Sequence, residues 1–194
     1  MFFLRRPSKE DVVRFLTVSA PLSLSYSPDR MARNRRYAID ETAGVIGQGA
    51  CDFACACDAL RHWEQFRFGW VELLPDDAPI DRGTTVAVRI RHLGFWSLNG
   101  ARVVSVEETP GHHFAISYGT LTNHAEQGEE LFEVSLDPRT GTVMYRIRAV
   151  SQPRAWLARL GGPIVRRLQD KARADSLEAM RRAVARRRSS ERRR

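Results

Sequence analysis

Apolar and polar positions change period several times along the chain. Between Ser8 and Ala20 the apolar residues are Val12, Val13, Phe15, Leu16 and Val18, the spacing of one helical face. Ser8 stands as a plausible N-cap with Asp11 three residues on, in capping-box position, and Pro21 stops the run. A loop with Tyr26 and Pro28 follows. Residues 34–41 alternate, Tyr37 and Ile39 on one face and Arg36 and Asp40 on the other, which predicts a half-buried strand. Gly44, Gly47 and Gly49 are then expected to break the chain. Residues 50–66 predict a second helix, with Phe53, Leu60 and Trp63 separated by small Ala and Cys residues.

From Gly69 to Ser151 the period is two. Strands are predicted over 69–74, 84–92, 95–108, 112–121, 128–137 and 141–151. The turn-forming separators are Pro75-Asp76-Asp77, Asp81-Arg82-Gly83, Thr109-Pro110-Gly111 and Asp137-Pro138-Arg139-Thr140-Gly141. Short turns between consecutive strands imply an antiparallel meander. The last segment reads as helix, with Pro153 in its first turn and a break at Gly161-Gly162-Pro163. Beyond the break Ile164, Val165, Leu168, Ala172, Leu177, Met180 and Val184 form an amphipathic stripe. The order is helix, strand, helix, six strands, long helix. A curved seven-stranded antiparallel sheet cannot hide its apolar face alone, so the C-terminal helix is expected to fill the concave side. A sheet gripping one helix leaves space between them, and such spaces hold ligands.

Composition narrows the partners. The 194 residues are 43% hydrophobic and 28% charged, an ordinary globular balance, and no apolar run approaches a membrane span. The net charge of +8 suggests nucleic acid until it is located. Residues 181–194 carry eight arginines and one glutamate, and the other 180 residues are nearly neutral. A domain over 1–185 with a flexible arginine-rich tail over 186–194 is therefore expected. No aromatic residues interleave the tail arginines to stack bases, which disfavours nucleic acid as the partner. Cys51, Cys55 and Cys57 are odd in number and clustered. They point to a reduced, cytoplasmic compartment and read as small buried helix residues, since zinc sites want a matching distant pair. No metal and no cofactor is expected. Met-Phe-Phe-Leu-Arg-Arg-Pro lacks the apolar core of a signal peptide.

The best polar cluster lies over 112–136. By parity Phe114, Ile116, Tyr118 and Thr120 share a face, and Glu130 shares one with Phe132, Val134 and Leu136. Tyr118, Thr120 and Glu130 are therefore expected inside, with His124 in the connecting loop folding over the mouth. An inward carboxyl calls for a raised pKa or a cationic or hydroxyl partner. The cluster is either an acid/base or ligand-anchoring group in an apolar pocket, or a hydrogen-bond network that fixes the hairpin. Ser117 points away, so a hydrolytic triad is disfavoured. Trp70 and Trp96, beside turns, are the preferred wall residues, and Trp63 and Trp156 are core or lining. Gly47-Gln48-Gly49 lacks the rest of a phosphate loop and reads as a tight lead into the second helix. His112 and His113 point to opposite faces of a strand and cannot chelate one metal together; they and His92 read as surface residues.

Several short stretches carry a family resemblance. They are Trp63, Gly69-Trp70-Val71-Glu72, Gly94-Phe95-Trp96-Ser97-Leu98-Asn99 with Arg102, Tyr118-Gly119-Thr120-Leu121, His124, Gly128-Glu129-Glu130-Leu131-Phe132, and Gln169 with Ser176 to Met180. In this order and spacing they resemble the bacterial and plant domain of unknown function numbered nineteen-ninety, over Tyr26 to Met180. Ser151-Gln152-Pro153 departs from the family's usual Ser-Arg-Pro. The resemblance implies an α+β helix-grip fold of the Bet v 1-like, START-related (SRPBCC) superfamily, whose members include lipid binders and cyclases. The expected function is binding of an apolar or amphipathic small molecule in an internal cavity, with Tyr118, Thr120, His124, Glu130, Trp70 and Trp96 around it. The alternative is a cyclase or dehydratase using Glu130 or His124 as base and Tyr118 as acid. A third possibility is a tail-driven adaptor for nucleic acid or another partner. The sequence names neither the ligand nor the oligomeric state.

Overall fold

The computed structural model describes residues 1–33, 36–92, 94–153 and 162–191. The elements in chain order are β1 (Phe2–Phe3), α1 (Lys9–Ser19), α2 (Pro28–Arg33), β2 (Ala38–Gln48), α3 (Gly49–Arg61), a 3₁₀ turn (Glu64–Phe66), β3 (Val71–Leu74), β4 (Thr85–His92), β5 (Phe95–Thr109), β6 (His113–Thr120), β7 (Glu126–Leu136), β8 (Thr142–Pro153) and α4 (Gly162–Glu191). Seven strands form an antiparallel half-barrel in the order β2-β8-β7-β6-β5-β4-β3, and β1 adds to β5. The capping box of α1 is present: the Asp11 amide donates to Ser8 Oγ at 3.2 Å, and the Ser8 amide donates to Asp11 Oδ2 at 2.9 Å.

Parity places the two cores. Val86, Val88, Ala101, Val103, Phe114, Ile116, Phe132, Val134, Val143, Tyr145 and Ile147 face the concave side. There they meet Phe53, Leu60, Trp63 and Phe66 from α3 and its 3₁₀ turn, and Met180, Ala183 and Val184 from α4. On the convex side Val12 and Phe15 of α1 cover Ala87 and Leu98. The sheet is thus buried on both faces where β4 and β5 pass beneath α1.

The elements depart from the expected pattern in four places. First, the glycines do not break β2, which runs through Gly44 and Gly47 to Gln48. They serve close approach instead: a Cβ at Gly44 would stand 2.7 Å from Leu177 Cδ2, and one at Gly47 would stand 2.6 Å from Asp52 Cβ. The inward face is the one bearing Asp40, not Ile39, which is 62% exposed. Residues 34 and 35 lie outside the described residues. Second, the second helix ends at Arg61, because Trp63 takes a left-handed conformation (φ 56°) that turns the chain. Third, Pro153 ends β8 rather than opening a helix; Trp156 and Gly161 lie outside the described residues. Fourth, α4 continues through the arginine run to Glu191. Arg186 pairs with Glu64 at 2.9 Å, Arg187 with Asp58 at 2.5 Å and Arg188 with Asp52 at 3.4 Å. The first arginines of this run therefore pair with acids of the fold, with Arg186 and Arg188 still largely exposed.

Candidate functional site

Tyr118 on β6 and Glu130 on β7 are directly opposed in register, so their side chains leave the sheet together on the concave face. Tyr118 Oη donates to Glu130 Oε2 at 2.6 Å. The Tyr118 ring lies 6.0 Å from Phe66 and 5.5 Å from Phe132, which makes an aromatic floor. Burial pushes the Glu130 carboxyl up to about 7, and the charge of Glu126 adds to the shift. The Tyr118 hydrogen bond and Arg173 act the other way. The same burial, with the neighbouring Glu130 charge, raises the Tyr118 phenol well above its ordinary range.

β7 begins at Glu126, two residues ahead of the expected start, and this brings a second carboxyl onto the concave face by parity with Glu130. Gln169 Nε2 of α4 donates to Glu126 Oε1 at 2.7 Å. Burial raises the Glu126 pKa; the bonds from Gln169 and Ser151 and the charge of Arg173 oppose that. The Arg173 guanidinium, itself buried, bonds to Asp170 and lies 3.9 Å from Asp40 of β2. Deeper along α4, Ser176 Oγ and Tyr145 Oη share a hydrogen bond of 3.0 Å. Glu126, Arg173 and Tyr145 were not singled out from the sequence; Gln169 entered only through the family resemblance and Asp40 only as a residue on the polar face of a strand. Parity with Glu130 was the available signal for Glu126. Arg173 interrupts an otherwise apolar helical stripe, which was the signal for it.

Burial varies along this face. Phe114, Phe132, Val134, Val143, Tyr145 and Ile147 are fully buried, beneath α3 and the apolar part of α4 that starts at Leu177. Toward the other end Glu130, Glu126, Ala149, Ser151, Asp40 and Thr42 are only half-buried, as are Gln169 and Ala172 on the helix. The polar groups thus cluster at the half-buried end of the concave face, beside Gln169 and Ala172 of α4.

The remaining expected residues fall elsewhere. Thr120 closes the hairpin: its Oγ1 accepts from the Gly128 amide at 2.9 Å, donates to Gly128 O at 3.0 Å and meets Ser25 Oγ at 2.6 Å. His124 Nδ1 accepts from the Glu126 amide at 2.9 Å, which leaves the proton on Nε2, and burial pushes its pKa down to about 4. It is a neutral ring that shapes the turn leading to Glu126. Trp70 ties the sheet edge to the helix, its Nε1 donating to Asp175 Oδ2 at 2.7 Å. Trp96 is a correction. It lies on the convex face by parity with Leu98, with the Arg6, Arg89 and Arg91 guanidiniums 5.8, 6.0 and 5.8 Å from its ring, so it does not line the concave side. Cys55 and Cys57 are buried in α3 and Cys51 is exposed. Among the described residues no group of three or more His, Cys, Asp or Glu is arranged to hold a metal.

The sequence profile of a domain of unknown function, DUF1990, matches residues 25–179. The chain belongs to the DUF1990 family. Two UPF0548 proteins are similar over most of its length. That of Dictyostelium discoideum is 30% identical and covers 95% of this chain and 96% of its own; that of Deinococcus radiodurans is 30% identical and covers 85% and 89%. Among solved structures, a hypothetical protein from Helicobacter pylori superposes with a TM-score of 0.57 at 13% identity, covering 80% of this chain and 92% of that one. The di-domain ARO/CYC protein StfQ from the steffimycin biosynthetic pathway superposes with a TM-score of 0.53 at 11% identity, covering 83% and 55%. At these identities the likeness shows the fold, which is helix-grip. The DUF1990 segment contains Tyr118, Glu126, Glu130 and Arg173, whereas β1 and α1 precede it. Gln152 Nε2, in the Ser151-Gln152-Pro153 stretch, donates to Gln127 Oε1 at 2.9 Å.

Proposed function

We propose that this DUF1990 protein binds an apolar or amphipathic small molecule between the sheet and the first half of α4, with the polar end of the ligand against Glu130 and Tyr118. The observation that carries the reading is the Tyr118–Glu130 pair: an inward carboxyl with a pKa near 7, on an aromatic floor, at the half-buried end of the concave face. Phe66 and Phe132 supply apolar contact. The protonated carboxyl donates a hydrogen bond and the ionised one accepts, so the group anchors a hydroxyl, carbonyl or amide equally. Tyr118, Glu130 and Glu126 are the residues proposed to meet ligand, with Trp70 holding the helix rim. Thr120 and His124 support the hairpin that presents them.

A second reading is favoured by the same pKa. A carboxyl poised near neutrality and bonded to a phenol is suited to move a proton, as a cyclase or dehydratase requires. The ARO/CYC fold neighbours fit such an activity, although they share only the architecture with this chain.

Native mass spectrometry of protein purified from its own host separates the outcomes. The binding reading expects an apolar compound that co-purifies and is released on denaturation. A chain that carries none, and takes up none from a lipid extract, contradicts it. With the compound in hand, Glu130→Gln weakens retention under the binding reading. Under the enzyme reading the same variant abolishes turnover and leaves affinity nearly unchanged.

A further inference from the structure

We propose that the side-chain amide of Gln65 is a second polar anchor for the ligand, one that takes a carboxamide or a carboxylic acid. The inference rests on the binding reading above and extends it: the ligand carries two polar groups, one for Glu130 and one for Gln65. Gln65 lies in the 3₁₀ turn and is fully buried. Among the described residues neither its Nε2 nor its Oε1 has a hydrogen-bond partner. The residues before it in the turn are satisfied. Trp63 Nε1 donates to Ala78 O at 2.8 Å, and the Glu64 carboxylate meets Arg186 at 2.9 Å and Arg67 at 3.3 Å. Asn99, a buried amide on β5, uses both ends: Nδ2 donates to Ser97 Oγ at 3.0 Å, and Oδ1 accepts from the Ala125 amide at 3.4 Å.

An amide unbonded at both ends in the interior is costly, and a methionine of similar length would avoid that cost. Its place in the fold says what can offset it. The turn packs on α4, α3 and β3. One residue back, Glu64 meets the arginines of α4. One residue on, the Phe66 ring stacks on Tyr118 at 6.0 Å and 28°, and Tyr118 bonds to Glu130. Gln65 therefore belongs to the layer between helix and sheet, next to the aromatic floor against which the ligand is proposed to lie. A side-chain amide presents a donor and an acceptor side by side. A carboxamide or a protonated carboxylic acid matches both at once; a ketone meets the donor alone.

Calorimetric titration of the full chain with decanamide, and with the methyl ketone of the same chain length, tests this. The two probes share shape and carbonyl and differ in the N–H groups. The wild type is expected to bind decanamide about tenfold more tightly. Gln65→Met loses that preference, whereas Glu130→Gln keeps it. The ligand-free Gln65→Met chain is expected to melt roughly 2–4 °C above the wild type, since an unbonded amide has been removed. Gln65→Leu repeats both measurements with a branched side chain, and circular dichroism checks that each variant is folded. The proposal is overturned if the wild type binds the two probes equally, or if the preference survives Gln65→Met. It is also overturned if both variants melt below the wild type, which would mean that the amide is already bonded to a resident water. Equal binding of the two probes leaves the binding reading standing; binding of neither removes that reading and this inference together.

Discussion

Glu130 is a carboxyl the fold keeps at a disadvantage when ionised. Its folded pKa of about 7 lies above the ordinary 4.5, so its contribution to stability is fully present below pH 4.5 and is lost as pH rises through 7. Glu130→Gln keeps the neutral shape and removes that loss. The expected outcome is a melting temperature equal to the wild type near pH 5 and above it at pH 8, checked by thermal unfolding at the two pH values. His124 acts in the opposite window. Its pKa is depressed to about 4 from 6.5, so its contribution is present above 6.5 and is lost as pH falls toward 4. The inward direction of Tyr118 and Glu130 was legible because the period of a strand is two and the flanking residues are large and apolar. The role of Thr120 was not. Its hydroxyl is claimed by the Gly128 backbone and by Ser25, a contact made by a loop 95 residues away in sequence. Trp96 shows the same limit: assigning it a side required the parity of Leu98 and Ser97, which the turn next to it obscured.

The C-terminal helix divides in two. From Leu177 to Val184 its buried side is apolar and seals the core; from Gln169 to Ser176 it is polar and reaches Glu126, Asp40 and Tyr145. Its far end is fastened by Arg186 and Arg187 to Glu64, whose side chain is nearly buried, and by Arg187 and Arg188 to Asp58 and Asp52. Removing the arginines leaves the nearly buried Glu64 with Arg67 alone, at 3.3 Å, whereas removing Glu64 leaves arginines that reach water. Arg186→Ala with Arg187→Ala is therefore expected to destabilise by ~1–3 kcal/mol, and Glu64→Gln by less. Urea unfolding of both variants checks the order; equal losses would contradict it. The helix stripe was legible from its spacing, but the ion pairs were not, because Asp52, Asp58 and Glu64 become partners only once α3 lies along α4. The glycines of β2 misled for a related reason. A glycine that permits a neighbour's approach looks the same in sequence as one that ends a strand.

At the scale of the molecule, the order of elements was enough for the architecture, since a meander of short-turned strands followed by one long amphipathic helix has few ways to bury its faces. What it did not contain is the polar cluster at one end of the concave face. That follows from the two-part helix and from the start of β7 at Glu126, and it sets the central proposal: an acid at the half-buried end of the concave face, held by Tyr118 and proposed to meet a ligand. Isotope-edited infrared titration of the Glu130 carboxyl in the wild type and in Tyr118→Phe tests this most directly. The account predicts a midpoint near pH 7 in the wild type, a higher midpoint in the variant because the hydrogen bond that favours the ionised form is gone, and a further change when the co-purifying compound is removed. A wild-type midpoint near 4.5, unmoved by the substitution and by the compound, would place that carboxyl in bulk water and contradict it.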